Sequence, residues 1–176
     1  MENNFITALS DIFKIIQSGK LGKEQVINVS LNVQEEKCDL EKLSFILLCL
    51  GSSTFTTNVI KESLQIFDKP YRYGVVSREY DGGAIFKMFF RCAPIAQYVE
   101  VNVYGSNAEL SYDSRNGKVM IYNQIPESDG IECQMGSEDG CLLCDQDFWG
   151  CLLSKDVILE NKDIAKKLGT LVWGKI

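Results

Sequence analysis

Ile27-Asn28-Val29-Ser30-Leu31-Asn32-Val33 alternates apolar and polar side chains without a break. Successive Cβ atoms of an extended chain point to opposite sides, so this period of two predicts a strand with Ile27, Val29, Leu31 and Val33 facing inward. It is the clearest strand signal in the chain, and it is expected to pair at the edge of a sheet.

Before it, Phe5, Ile6, Leu9, Ile12, Phe13 and Ile16 recur at helical spacing, which predicts a helix over 3–18 with Gly19 as its stop. After it, Asp39 is placed to cap a helix running to Gly51. Leu43 to Leu50 is apolar on every side and equally suits a buried strand, but helix is the preferred reading. Thr54 or Thr56 then caps a second expected helix, with Phe55, Val59, Ile60, Leu64 and Phe67 on one face and an end before Pro70.

From Tyr71 to Gln124 the pattern turns to β, with runs at Tyr73 to Ser77, Ile85 to Cys92, Tyr98 to Tyr104, Glu109 to Asp113 and Lys118 to Asn123. Asp81-Gly82-Gly83, Gly105-Ser106-Asn107 and Asn116-Gly117 supply residues that tolerate the positive φ of tight hairpins, so neighbouring runs should pair antiparallel. Pro126 to Asp147 reads as a long polar loop, of a length more often functional than idle. Phe148 to Leu153 and Val157 to Leu168 read as short helices ending at Gly169, and Leu171-Val172-Trp173 as a short docking strand. The expected fold is α+β: an antiparallel meander of about five to six strands with N-terminal, central and C-terminal helices on one face. Residues 1–176 are expected to form a single globular domain.

Composition narrows the functional classes. The chain has no histidine, which removes the commonest metal ligand and the commonest general base at neutral pH. Its seven cysteines are an odd number, and Cys38, Cys49, Cys92 and Cys151 lie in or beside apolar stretches, which fits a reducing, cytoplasmic compartment. The start of the chain lacks the basic and apolar blocks of a secretory signal, and the longest apolar run, Phe45 to Leu50, is too short to cross a bilayer. No membrane association is expected.

Charge is the most informative feature. Between Lys118 and Lys155 there is no basic residue, while seven acids occur: Glu127, Asp129, Glu132, Glu138, Asp139, Asp145 and Asp147. Outside that stretch 17 acids nearly balance 18 bases, so the net charge of -6 arises there. Such a segment repels nucleic acid and attracts basic protein surfaces. Its plain reading is a solvated loop. Its functional reading adds Phe148 and Trp149 as apolar anchors beside the acids. On that reading the chain is a non-enzymatic, intracellular protein-binding module, most concretely an immunity-type inhibitor masking a basic partner such as a nuclease toxin.

The alternatives come from other chemistry. Cys133, Cys141, Cys144 and Cys151 are spaced for a possible four-thiolate zinc site, although Cys-Leu-Leu-Cys equally suits one buried helical turn. Leu48 to Thr57 could form a hydroxyl-rich phosphate loop but lacks a Walker or dinucleotide glycine pattern, so capping is the better reading. Glu79 with Asp81 could serve acid/base work, and Tyr98, Tyr104, Tyr112 and Tyr122 could stack on bases or simply stabilise the sheet. No cofactor motif is read, neither nucleic acid nor membrane is expected as a partner, and a third alternative is a small-molecule pocket between sheet and helices.

Overall fold

The Ile27–Val33 stretch lies within the first strand, β1 (Glu24–Val33), in the computed structural model. The structure describes residues 2–33, 40–55, 58–67, 72–93, 96–123, 131–133, 143 and 146–173. Along these run α1 (Glu2–Gln17), β1, α2 (Leu40–Thr54), β2 (Val59–Phe67), β3 (Arg72–Tyr80), β4 (Ile85–Cys92), β5 (Tyr98–Gly105), β6 (Ala108–Asp113), β7 (Lys118–Asn123), β8 (Ile131–Cys133), α3 (Gln146–Gly150) and α4 (Lys155–Trp173). The fold is α+β with a mixed, mostly antiparallel sheet.

The sheet has eight strands in the order β2-β3-β4-β1-β5-β6-β7-β8. β1 is therefore central and not at the edge. Alternation reports which two faces a strand has, and it carries no information about the strand's neighbours. Ile27, Val29, Leu31 and Val33 are at most 1% exposed, as the alternation requires. On one side β1 runs parallel to β4, in register from Val26 opposite Ile85 to Val33 opposite Cys92. On the other it runs antiparallel to β5. A parallel neighbour cannot be reached by a hairpin, so the chain crosses over through α2 before the β2-β3-β4 meander returns it to the edge of β1. The expectation of a purely antiparallel sheet of five to six strands is corrected on both points.

One of the missing strands is β2, which sequence spacing assigns to a helix. Ile60, Leu64 and Phe67 do lie on a helical repeat. The observed pairing with β3 instead uses the β-branched Val59 and Ile66, and the stacking of Phe67 on Tyr73 across the ladder at 4.8 Å, with Ile60 at a register irregularity. As an outermost strand β2 leaves Ile60 66% exposed, which blurs the alternation that marks a half-buried strand.

The helices lie on one face of the sheet. Phe5 of α1 meets Tyr112 of β6 at 6.2 Å between ring centroids. Gly51 of α2 sits so close to Phe86 of β4 that a Cβ there would stand 2.6 Å from the ring. The apolar run of α2 is helical and buried on nearly every side, from Leu40 to Ser53, because sheet and α4 enclose it. α4 continues through Gly169 to Trp173. That glycine does not stop the helix: it faces Glu41 of α2, where a Cβ would come within 3.3 Å, so its role is close helix approach. The expected strand at Leu171–Trp173 is accordingly helix. Across the opposite face Lys87, Phe89 and Tyr104 remain exposed.

Gly105, at the end of β5, abuts the backbone of Leu21, and an added Cβ would fall on that carbonyl oxygen. Backbone cannot rotate away as a side chain can. Gly105→Ala is therefore expected to lower unfolding free energy by about 1–3 kcal/mol, read as a lower urea midpoint by circular dichroism.

Candidate functional site

β3 places Gly74, Val76, Arg78 and Tyr80 on the helix-covered face. A guanidinium at such a position must be satisfied or it would not stay there. Arg78 is 1% exposed. Its Nε donates to Glu62 Oε2 of β2 at 2.6 Å, and its Nη1 donates to Asn161 Oδ1 of α4 at 2.6 Å and to Ser52 Oγ of α2 at 3.2 Å. Its Nη2 stands 3.9 Å from Glu160 Oε1, too far for a hydrogen bond, and has no hydrogen-bond partner. One cation thus ties together β2, α2 and α4, while its Nη2, covered from solvent, makes no hydrogen bond.

Asn161 is fully buried on the same stripe of α4 as Ile164, Ala165 and Leu168. Its Nδ2 donates to Ser52 Oγ at 3.3 Å and to Cys49 Sγ at 3.4 Å. Two residues along β3, Tyr80 is 1% exposed, packs on Phe55 at 4.9 Å, and has a hydroxyl with no hydrogen-bond partner. Burial raises its phenol pKa, and the nearby Arg78 charge, with the Ser52 and Arg78 side chains beside the hydroxyl, offsets this only in part. Burial likewise pushes the Cys49 thiol from 9.0 up to about 12, against the opposing pull of the Asn161 hydrogen bond and Arg78. Both groups are neutral at neutral pH. Cys49 is no thiolate nucleophile, and Tyr80 keeps its proton available for donation.

Arg78 and Tyr80 border a cavity of about 740 Å³ between the end of α2, the start of β2, β3 and the start of α4. Arg78, Tyr80, Ser52, Ser53, Ser154 and Glu160 supply its polar lining, and Phe55, Leu153 and Val157 are among its apolar walls. A cleft with a fixed cation, a phenol and several hydroxyls can orient and polarise an oxygen atom of a bound molecule.

Those of the residues singled out from sequence that the structure describes fall elsewhere. Trp149 is fully buried, donates its Nε1–H to Leu143 O at 2.9 Å, and packs edge-on against Phe13 and Phe148; it is a core residue and no surface anchor. Asp147 is exposed and Phe148 half-buried in α3. Glu127, Asp129, Glu138, Asp139 and Asp145 lie outside the described residues, and Glu132 lies in β8. Of the zinc candidates, Cys151 is exposed, Cys133 lies in β8, and Cys141 and Cys144 lie outside the described residues. Ser52, Ser53 and Thr54 occupy the C-terminal turn of α2, where Ser53 and Thr54 donate to Leu50 O at 3.0 and 2.8 Å. They are not at a helix N-terminus, so the phosphate-loop reading does not apply to them. Glu79 forms a solvated pair with Lys61 at 3.6 Å. Tyr112 is buried and Tyr104 exposed, which divides the four tyrosines between the two faces.

Arg78 and Asn161 were missed, although each carries a signal. Arg78 sits at an inward parity of a strand pattern, two residues from Val76. Asn161 lies three, four and seven residues before the apolar Ile164, Ala165 and Leu168, so it falls on the buried stripe.

No family model and no curated protein matches the sequence. Solved structures do match the fold, which is one found in oxidoreductases. UDP-N-acetylglucosamine 3-dehydrogenase from Acidithiobacillus ferrooxidans superimposes with a TM-score of 0.64 at 10% identity, covering 91% of this chain and 57% of that one. Biliverdin reductase from Synechocystis sp. PCC 6803, in complex with biliverdin and NADP+, gives 0.63 at 12% identity over 93% of this chain and 60% of that one. Levoglucosan dehydrogenase, in complex with NADH and L-sorbose, gives 0.56 at 9% identity over 93% and 64%. The chain thus spans about three fifths of the length of these enzymes. An enzyme-type fold overturns the expectation of a non-enzymatic, immunity-type inhibitor of a toxin. No helix among the described residues is long and apolar enough to cross a membrane.

Because the folded protein holds the Cys49 proton to about 12 while an unfolded thiol loses it near 9.0, stability is fully present below about pH 9 and falls progressively up to about pH 12. Burial holds the Tyr112 phenol to about 12, against 10.0, with the same sign over a narrower window. In Cys49→Ser, the onset of this alkaline loss should move up from about pH 9 to about pH 10, seen in urea midpoints measured across that range.

Proposed function

We propose that this chain is the ligand-binding part of an oxidoreductase-type enzyme, and that the Arg78 cavity holds the oxygen atoms of a small organic molecule. The observation that carries the reading is a buried arginine with one unpartnered edge, bordering a cavity, in a fold shared with dehydrogenases over 91% of this chain. Two such structures, the biliverdin reductase and the levoglucosan dehydrogenase, are complexes with a nicotinamide dinucleotide. A nicotinamide, when bound, supplies hydride chemistry.

The residues of this chain do not fit the dinucleotide's pyrophosphate. That group is held by a glycine-rich turn between a strand and a helix in a doubly wound parallel sheet. Here the described sheet has a single parallel pair, β1 with β4, and the connection from β1 to α2 reads Gln34-Glu35-Glu36-Lys37-Cys38-Asp39, with three acids and no glycine. Dinucleotide binding on this reading belongs to a portion of such enzymes beyond the stretch matched here. What this chain's residues do is bind and orient: Arg78 Nη2 and the Tyr80 hydroxyl donate to an oxygen, while Phe55, Leu153 and Val157 exclude water. A cytoplasmic setting goes with this reading, in which the buried Cys49 is a free thiol.

The test is a screen of small oxygenated organic molecules against the whole chain by amide NMR. The expected result is movement of the Ser52, Ser53, Tyr80 and Ser154 signals and a higher unfolding temperature, with NADH and NADPH leaving those signals in place. A cavity that no compound perturbs, or one that the dinucleotides themselves occupy, overturns the reading.

A further inference from the structure

We infer that the Arg78 cavity takes a small organic carboxylate, held by Arg78 Nη2, the Tyr80 hydroxyl and the first turn of α4; this rests on the cavity being the ligand site. Two donors at least nine-tenths buried, on side chains that line the cavity, lack hydrogen-bond partners: Arg78 Nη2 and Tyr80 Oη. Leaving a buried guanidinium donor unmade is costly, so an acceptor placed there repays a penalty the fold already carries. The start of α4 brings a third, independent element to the same space. Ser154 and Val157 line the cavity, and Ser154 Oγ accepts from Val157 N–H at 3.4 Å as the cap of a 19-residue helix. That cap leaves the N–H groups of Lys155 and Asp156 in the unpaired first turn, where the helix dipole favours negative charge.

Glu160 shows what chemistry the unpartnered edge accepts. Its carboxylate, half exposed, lies 3.9 Å from Nη2, within ion-pair reach but without a hydrogen bond. It can rotate into solvent when a closer carboxylate arrives. The cavity lining carries Arg78 and Lys61 against Glu62, which is committed to Nε, and Glu160, a formal balance of zero. Among anions, a monoanion leaves the least unbalanced charge there. A phosphate dianion would face Glu62 and Glu160 with more charge left over, and a neutral hydroxyl would bring no charge of its own to the guanidinium. The planar edge of a carboxylate also matches the planar guanidinium.

The experiment titrates the full chain with pyruvate, and separately with inorganic phosphate and with glycerol, following the Arg78 Nε–H signal and the amides of Lys155 and Asp156. Pyruvate should move all three. Tyr80→Phe should weaken that binding roughly tenfold or more. Glu160→Gln changes a half-exposed side chain, so it should fold normally and strengthen binding about two- to fivefold by removing a competing carboxylate. Weaker or unchanged pyruvate binding in Glu160→Gln overturns the inference. Glycerol or phosphate moving these signals while pyruvate does not would overturn the carboxylate assignment and leave the cavity as the ligand site. No movement with any of the three, nor with any compound of the wider screen, would overturn both.

Discussion

The parallel pairing of β1 with β4 is the constraint on which the rest of the structure depends. Two parallel neighbours cannot be joined by a tight turn, so the chain between them must leave the sheet, cross one face and come back. α2 is that crossing, and its position explains its all-round apolar surface: the sheet lies beneath it and α4 beside it. Once α2 covers the face, β1 has one edge for the returning β2-β3-β4 meander and one for β5 onward. The later strands then add one after another by hairpins, each closing over only a few residues.

The same constraint explains how much of the fold was legible. Elements whose pattern is set by two simple faces read correctly, including α1 with its stripe of Leu9, Ile12 and Ile16, and β1 with its strict alternation. β3 to β7 announced themselves through turns such as Asp81-Gly82-Gly83 and Asn116-Gly117. What failed was anything decided by distant partners. Val59 to Phe67 carries a helical spacing and became a strand because β3 offered an edge to pair with. Gly169 reads locally as a helix stop, and only the approach of α2 makes it a packing residue. Whether β1 is central or peripheral is a property of its neighbours, which no local pattern contains.

The site was less legible still. The acidic stretch dominated the sequence because charge is visible there without any fold, whereas the cavity is assembled from Ser52, Glu62, Arg78 and Glu160, residues spread over more than 100 positions. Each looks ordinary alone. A lysine or arginine in a strand reads as solvent-facing by default, and only the parity with Val76 and Tyr80 shows Arg78 to be inward. Trp149 was misread for the converse reason: an aromatic beside acids resembles an interface anchor, but its indole N–H is satisfied by Leu143 inside the core.

One wall of the cavity is β2, an outermost strand, whose one neighbour among the described strands is β3. Its free flank lets it peel away at low cost, because fraying there breaks one ladder and leaves the helix-covered centre intact. Glu62 rides on that strand while its guanidinium partner is anchored inside, so the ion pair works as a latch across a seam. Entry to the cavity need not wait for the domain to open: it can follow the breathing of a single border strand. An occupant that bridges β3 and α4 would in turn quieten that border, coupling occupancy to slower exchange of the β2 amides paired with β3.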